Sequence, residues 1–165
     1  MLEKEKTCAF TGHRPEKLHM SEKDARALLC RSIENAIGLG YTTFITGLAR
    51  GVDVWAAEAV LDLKLLHTEV KLVCALPFPD FGKNAPHIIQ KADFVYTVMP
   101  SYSIHAFQKR NKWMVDNSSL VIAIFQGEKG GTENTVKYAE KHGVDIMWAE
   151  PTSIFRQIRM RNIYE

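Results

Sequence analysis

At 165 residues, with 46% hydrophobic and 24% charged side chains, the chain suits one domain with a sizeable core and is too apolar for a disordered polymer. Its net charge of +2 excludes the strong overall basicity of a duplex nucleic-acid binder. No apolar run approaches the ~20 residues of a membrane span, and Met1–Lys6, with Glu3 and Glu5, resembles neither a signal peptide nor an Arg-rich transit segment, so a cytoplasmic location and no membrane contact are expected.

Apolar runs alternate with longer amphipathic stretches along the whole chain. Thr7–Thr11 predicts a first strand. Ser21, with Asp24 three residues on, predicts a helix N-cap, and the helix buries Leu28, Leu29, Ile33 and Ile37 before Gly40 ends it. Strands are expected at Thr42–Thr46, Lys71–Leu76, Phe94–Met99, Leu120–Phe125 and Val144–Trp148. Helices are expected at Val52–His67, Pro86–Lys91, Ile104–Asn117 and Thr132–His142, and a last one from Thr152. Leu120–Phe125 lacks polar alternation, as a strand covered on both faces should. The order predicts one doubly wound, Rossmann-like α/β domain over residues 1–165, with a mostly parallel six-stranded sheet and helices on both faces.

Cys8, Cys30 and Cys74 are far apart and lie in or beside apolar segments, which predicts buried reduced thiols. The six histidines show no zinc-type spacing, so no metal site is expected, and the GxGxxG and GxxxxGK[ST] patterns are absent.

In such a sheet, ligands bind beyond the carboxyl ends of the strands at a switch point in strand order. The unusual residues of this chain fall there: Gly12, His13 and Arg14 after the first strand, Gly47, Gly51 and Asp53 after the second, and Gly130, Gly131 and Thr132 after the fifth. Glycine lets backbone approach a ligand, and a helix N-terminus offers free N–H groups to an anion, so Gly130–Thr132 is a candidate phosphate cradle. Asp53 either caps its helix or accepts hydrogen bonds from ribose hydroxyls. Arg14 either lies on the surface or contacts phosphate, and His13 either bonds nearby backbone or takes part in chemistry. Trp113 and Met114 suit core packing or a base-stacking shelf. Phe78, Phe81 and Tyr102 either wall a base or pack down.

Four ordered blocks carry a resemblance: Phe10–Pro15, Thr46-Gly47 with Gly51–Glu58, Arg110–Ser118, and Gly130–Val136. On them the chain resembles the SLOG superfamily and, within it, the YpsA-like branch. The resemblance implies a Rossmann-like fold that binds a nucleotide or a derivative such as NAD or ADP-ribose, with Arg110 and Asn111 added to the binding residues and a homodimer as one possible state. The superfamily includes Lonely Guy-type phosphoribohydrolases, whose pattern is an Arg-Lys pair, a following Met, then Pro-Gly-Gly-x-Gly-Thr and glutamates. Here Arg110 and Met114 match, Asn111 replaces the lysine, and Asn134 and Thr135 stand where the glutamates would fall, with Glu133 one residue early. N-glycosidic cleavage needs a carboxylate near the developing cation, so Glu133 is the weak catalytic candidate, with Asp53 and Asp116 behind it. A third relative, the DNA-processing protein, holds single-stranded DNA. That needs a basic groove with stacking aromatics, whereas all of this chain's excess charge sits in Arg156, Arg159 and Arg161 against Glu165. The expectation is a protein that binds or senses a nucleotide-derived ligand and needs no cofactor. An N-glycosidic hydrolase or transferase is the alternative, and nucleic acid is not the expected partner.

Overall fold

In chain order, the helix-forming and strand-forming stretches assemble into a single sheet sandwiched between helices. The computed structural model describes residues 2–125, 129–150 and 158–159. The elements are β1 (Thr7–Gly12), α1 (Glu22–Gly38), β2 (Thr43–Thr46), α2 (Val52–Lys64), β3 (Lys71–Leu76), α3 (Pro86–Lys91), β4 (Phe94–Thr97), α4 (Ala106–Asp116), β5 (Leu120–Ile124), α5 (Gly131–Lys141), β6 (Asp145–Trp148) and β7 (Ile158–Arg159). No helix among the described residues is long and apolar enough to cross a membrane.

Local chemistry sets the ends of α1. The Ser21 hydroxyl accepts from the Asp24 N–H at 3.1 Å. At the other end Gly40 adopts φ +100°, and the Gly40 and Tyr41 N–H groups donate to Ile37 and Ala36 carbonyls, closing the last turn as a Schellman motif. Helix α2 stops at Lys64, short of the expected His67, and Leu65 and Leu66 are 82% and 80% exposed in the turn that follows.

The strand order is β4-β3-β2-β1-β5-β6-β7. Strands β1 to β6 pair in parallel, so the Rossmann-like α/β expectation holds. The tail differs from expectation. Ile158–Arg159, placed within a final helix by the sequence reading, is instead a short strand pairing antiparallel with β6, Met147 opposite Ile158. Its physical reason is the open edge of β6, whose unpaired backbone groups are met by an incoming strand. The rest of that expected helix lies outside the described residues.

Each face of the sheet has its own core. One side packs Cys8, Phe44, Leu72 and Ile122 against Leu29 and Ile33 of α1 and Ala56 and Val60 of α2. The other packs Ala9, Ile45, Val121 and Ala123 against Met114 and Val115 of α4 and Val136 and Ala139 of α5. Burial on both faces explains the unbroken apolar run of β5. Cys8 and Cys74 are buried, and burial raises both thiols, Cys74 to about 12; Cys30 is half-buried, and none of the three forms a disulfide.

From β1 the chain adds β2, β3 and β4 on one side, then returns to place β5 on the other. The crevice beyond the carboxyl ends of β1 and β5 is therefore the switch point of the sheet.

Candidate functional site

A cavity of about 330 Å³ opens at that switch point. Strand β1 and its turn contribute Thr11, Gly12, His13, Arg14 and Lys17; the β2–α2 turn contributes Ala49 and the first turn of α2 Asp53; α4 contributes Phe107, Arg110 and Asn111; the N-cap of α5 contributes Gly130 and the start of that helix Gly131 and Thr132. Residues separated by more than a hundred positions meet because parallel strands all deliver their following turns to one edge.

The β2–α2 turn is tightly wound. Leu48 holds φ +57° while fully buried, and Gly51 holds φ +94° at the start of α2. The Thr46 hydroxyl donates to the Asp53 carbonyl at 2.8 Å and accepts from the Leu48 N–H at 3.2 Å. The Asp53 carboxylate accepts from the Ala49 N–H at 3.3 Å. Asp53 is only 8% exposed, and that burial pushes its carboxyl up to about 6, against the pull of the Arg110 charge and of backbone N–H groups.

Arg110 reaches the same turn from α4. It is 4% exposed, and its Nη1 donates to the Gly47 carbonyl at 2.5 Å while its Nε donates to Asn111 Oδ1 at 2.7 Å. Its guanidinium also lies 5.6 Å from the Phe81 ring centre and 5.9 Å from that of Phe107. A Cβ on Gly47 would stand 2.8 Å from Arg110 Nη1 and 2.9 Å from Asp53 Oδ2. Glycine there is what lets the cation and the carboxylate close around the turn.

The opposite wall is open. Gly130 adopts φ +148° and leads into α5. The first intrahelical bond comes from the Asn134 N–H to the Gly130 carbonyl, at 3.1 Å. The preceding amides of that helix end have no acceptor within it, and they sit where the dipole favours an anion. Arg14 and Lys17, both exposed, bring positive charge to this rim.

The predicted residues thus separate into two groups. Gly12, His13, Arg14, Asp53, Arg110, Asn111, Gly130, Gly131 and Thr132 all line the cavity. Gly47 and Gly51 lie behind it and serve its frame. His13 is 4% exposed with its ring 5.5 Å from that of Phe125. Glu133 is not in the lining; it pairs with Lys137 at 2.7 Å, which lowers its carboxyl. Asp116 accepts from the Tyr138 hydroxyl at 2.8 Å, away from the cavity. Asp53 is the one carboxylate in the lining among the described residues. Trp113 stacks on Tyr96 at 4.3 Å, and Met114 is buried in the core. Phe78 packs edge-on against Phe81, Tyr102 and Phe107. Sequence reasoning missed Lys17 and Phe107. Lys17 stands three residues after Arg14, and Phe107 shares the face of Arg110 and Asn111 at helical spacing.

The model of the YspA SLOG family matches residues 8–153, and the chain belongs to that family. It is 31% identical over 118 residues to the uncharacterized SPbeta prophage-derived protein YoqJ of Bacillus subtilis, covering 59% of this chain and 69% of that one. It is 27% identical over 143 residues to the UPF0398 protein YpsA of the same organism, covering 77% of this chain and 79% of that one. The fold is similar to that of DNA processing protein A from Streptococcus pneumoniae, with a TM-score of 0.64 and 22% identity, covering 94% of this chain and 53% of that one. The Helicobacter pylori protein of that name, whose structure concerns its single-stranded DNA binding mode, gives a TM-score of 0.64 at 20% identity, covering 90% of this chain and 66% of that one. This chain therefore spans between about half and two-thirds of the length of those two proteins.

Proposed function

We propose that this member of the family binds a phosphorylated, nucleotide-derived ligand of the nucleoside monophosphate, NAD or ADP-ribose class in the cavity between β1 and β5. One observation carries the reading: the α5 N-terminus, Arg14 and Lys17 converge on a single cavity that also holds a buried carboxylate. Free N–H groups and flexible cations suit phosphate oxygens. Asp53 would repel a phosphate and suits ribose hydroxyls, which donate to it. Arg110 is engaged with Gly47 and Asn111, so its role is to hold Asp53 and the turn in place, and Arg14 and Lys17 take the phosphate.

Thermal unfolding tests the reading. A ligand at a hundredfold excess over Kd stabilises by ~2.7 kcal/mol, which for a domain of this size raises Tm by roughly 5–10 °C. AMP, ADP-ribose and NAD at millimolar concentration are the probes, and no shift with any of them overturns the proposal. Release of free base in the same incubations would reassign the protein to the N-glycosidic hydrolases, with Asp53 as the available carboxylate. A second reading, single-stranded DNA, draws on the fold shared with DNA processing protein A and on the cationic rim. Oligonucleotide binding that survives moderate salt and is lost with Arg14→Ala would favour it.

A further inference from the structure

A second concavity, of about 110 Å³, runs between α4 and α5 and shares Asn111 and Gly131 with the cavity. Its α4 wall is Gln108, Asn111 and Lys112, and its α5 wall is Asn134, Thr135 and Tyr138. The α4 set follows i, i+3, i+4 spacing, and the α5 set, counted from the shared Gly131, follows i, i+3, i+4, i+7, so each helix turns one stripe toward the groove. Its side chains are polar types, and most of the surface that they turn to the groove is carbon. Cavity and groove together reach the lower part of the range of small-molecule sites, roughly 300–1,000 Å³.

We infer that this groove is the base subsite of the ligand proposed above, taking a planar nucleobase whose edge is read by the carboxamides of Gln108, Asn111 and Asn134. The inference rests on the nucleotide reading and adds where the base lies. A carboxamide both donates and accepts, which matches the mixed edge of a nucleobase. Asn111 Oδ1 accepts from Arg110 Nε at 2.7 Å, so its amide N–H groups are the part turned to a ligand. The carboxamides of Gln108 and Asn134 have no hydrogen-bond partner among the described residues. The aromatic wall is fixed: the Tyr138 hydroxyl donates to Asp116 Oδ1 at 2.8 Å, and Lys112 Nζ lies 5.7 Å from its ring centre. The shared Gly131 puts the α5 N-terminus at the mouth of the groove, so a phosphate there and a base in the groove belong to one molecule.

The test is calorimetric titration of the whole chain with the four common nucleoside monophosphates and with ribose 5-phosphate, which has the phosphate and no base. At least one nucleotide should bind tenfold or more tightly than ribose 5-phosphate. The double variant Gln108→Ala/Asn134→Ala, at exposed helical positions that leave the fold intact, should erase roughly ten- to a hundredfold of that preference and leave ribose 5-phosphate unchanged. Asn134→Trp, which fills the groove, should do the same. Equal affinity for nucleotides and ribose 5-phosphate overturns the inference, as does a base preference that both variants leave intact; the nucleotide reading survives either result. Failure of every nucleotide and of ribose 5-phosphate to bind the parent chain overturns both.

Discussion

The two turns that flank the cavity use glycine for opposite reasons. Around the β2–α2 turn the space of each missing side chain is already filled. A Cβ on Gly47 would strike Arg110 and Asp53, one on Gly51 would come within 2.7 Å of Pro15 Cδ, and one on Gly12 within 2.5 Å of Val52. At the head of α5, a Cβ on Gly131 would meet nothing within 4 Å, and one on Gly130 only Lys17 Nζ at 3.7 Å. The first turn is a packed joint and the second an opening. Glycine in a strand-to-helix turn therefore points to a ligand only when the space beside it is empty.

If the first turn is a joint, removing its cation should cost the most. Arg110→Ala leaves the Gly47 carbonyl without its donor and Asp53 without the nearby cation that favours its charged form, and leaving a buried charge uncompensated costs roughly 3–5 kcal/mol. Urea unfolding should show that loss, and Asp53→Asn in the same chain should recover part of it. Unchanged stability would break the contrast between the turns.

Next in size is the titration of Asp53. Its carboxyl rises from 3.8 to about 6 in the folded state, so the native protein holds that proton more tightly than the unfolded chain does. The stabilising contribution is complete below pH 3.8 and is lost as pH rises through about 6, an amount of roughly 3 kcal/mol. Unfolding free energies from pH 4 to 7.5 should therefore fall more steeply for the parent than for Asp53→Asn. Parallel profiles would show that Asp53 is not confined by the joint.

How much of this was legible in the sequence follows from the range of each interaction. Helix α1 was readable because its cap, Ser21 to Asp24, and its stop at Gly40 are local. Strand β5 was readable because burial on both faces leaves no polar residue to alternate. The carboxyl-edge location of the site followed from the order of elements. The role of Arg110 did not, because its acceptor, the Gly47 carbonyl, lies 63 residues away in sequence. Nor could β7 be read, since two residues carry no period and their pairing depends on the free edge of β6. Glu133 entered through its nearness to a glycine block, yet helical geometry turns it to Lys137 instead.

Gly12→Ala probes the joint from the β1 side. The added methyl meets the branched Val52 side chain at the start of α2, so the helix must shift, at ~2 kcal/mol by the usual cost of overpacking. Differential scanning calorimetry should show Tm lowered by roughly 4–8 °C. An unaltered Tm would mean that α2 is free to move.

The smallest effect on stability, and the sharpest on the comparison, belongs to Gly131→Ala. This residue opens α5 and lies in open space, with no backbone strain to relieve. Alanine restricts the unfolded chain more than glycine does, so the variant should fold as well as the parent or gain up to about 1 kcal/mol. The new methyl nevertheless stands at the wall shared by cavity and groove. If the head of α5 is where phosphate lies, that methyl pushes an anion away from the helix amides and lengthens charge-assisted bonds that depend on close approach. Affinity for AMP should then fall roughly tenfold or more while Tm without ligand stays level or rises, read by titration and calorimetry on the same sample. Loss of stability would make Gly131 a packing glycine like Gly12, and unchanged affinity would move the phosphate away from α5.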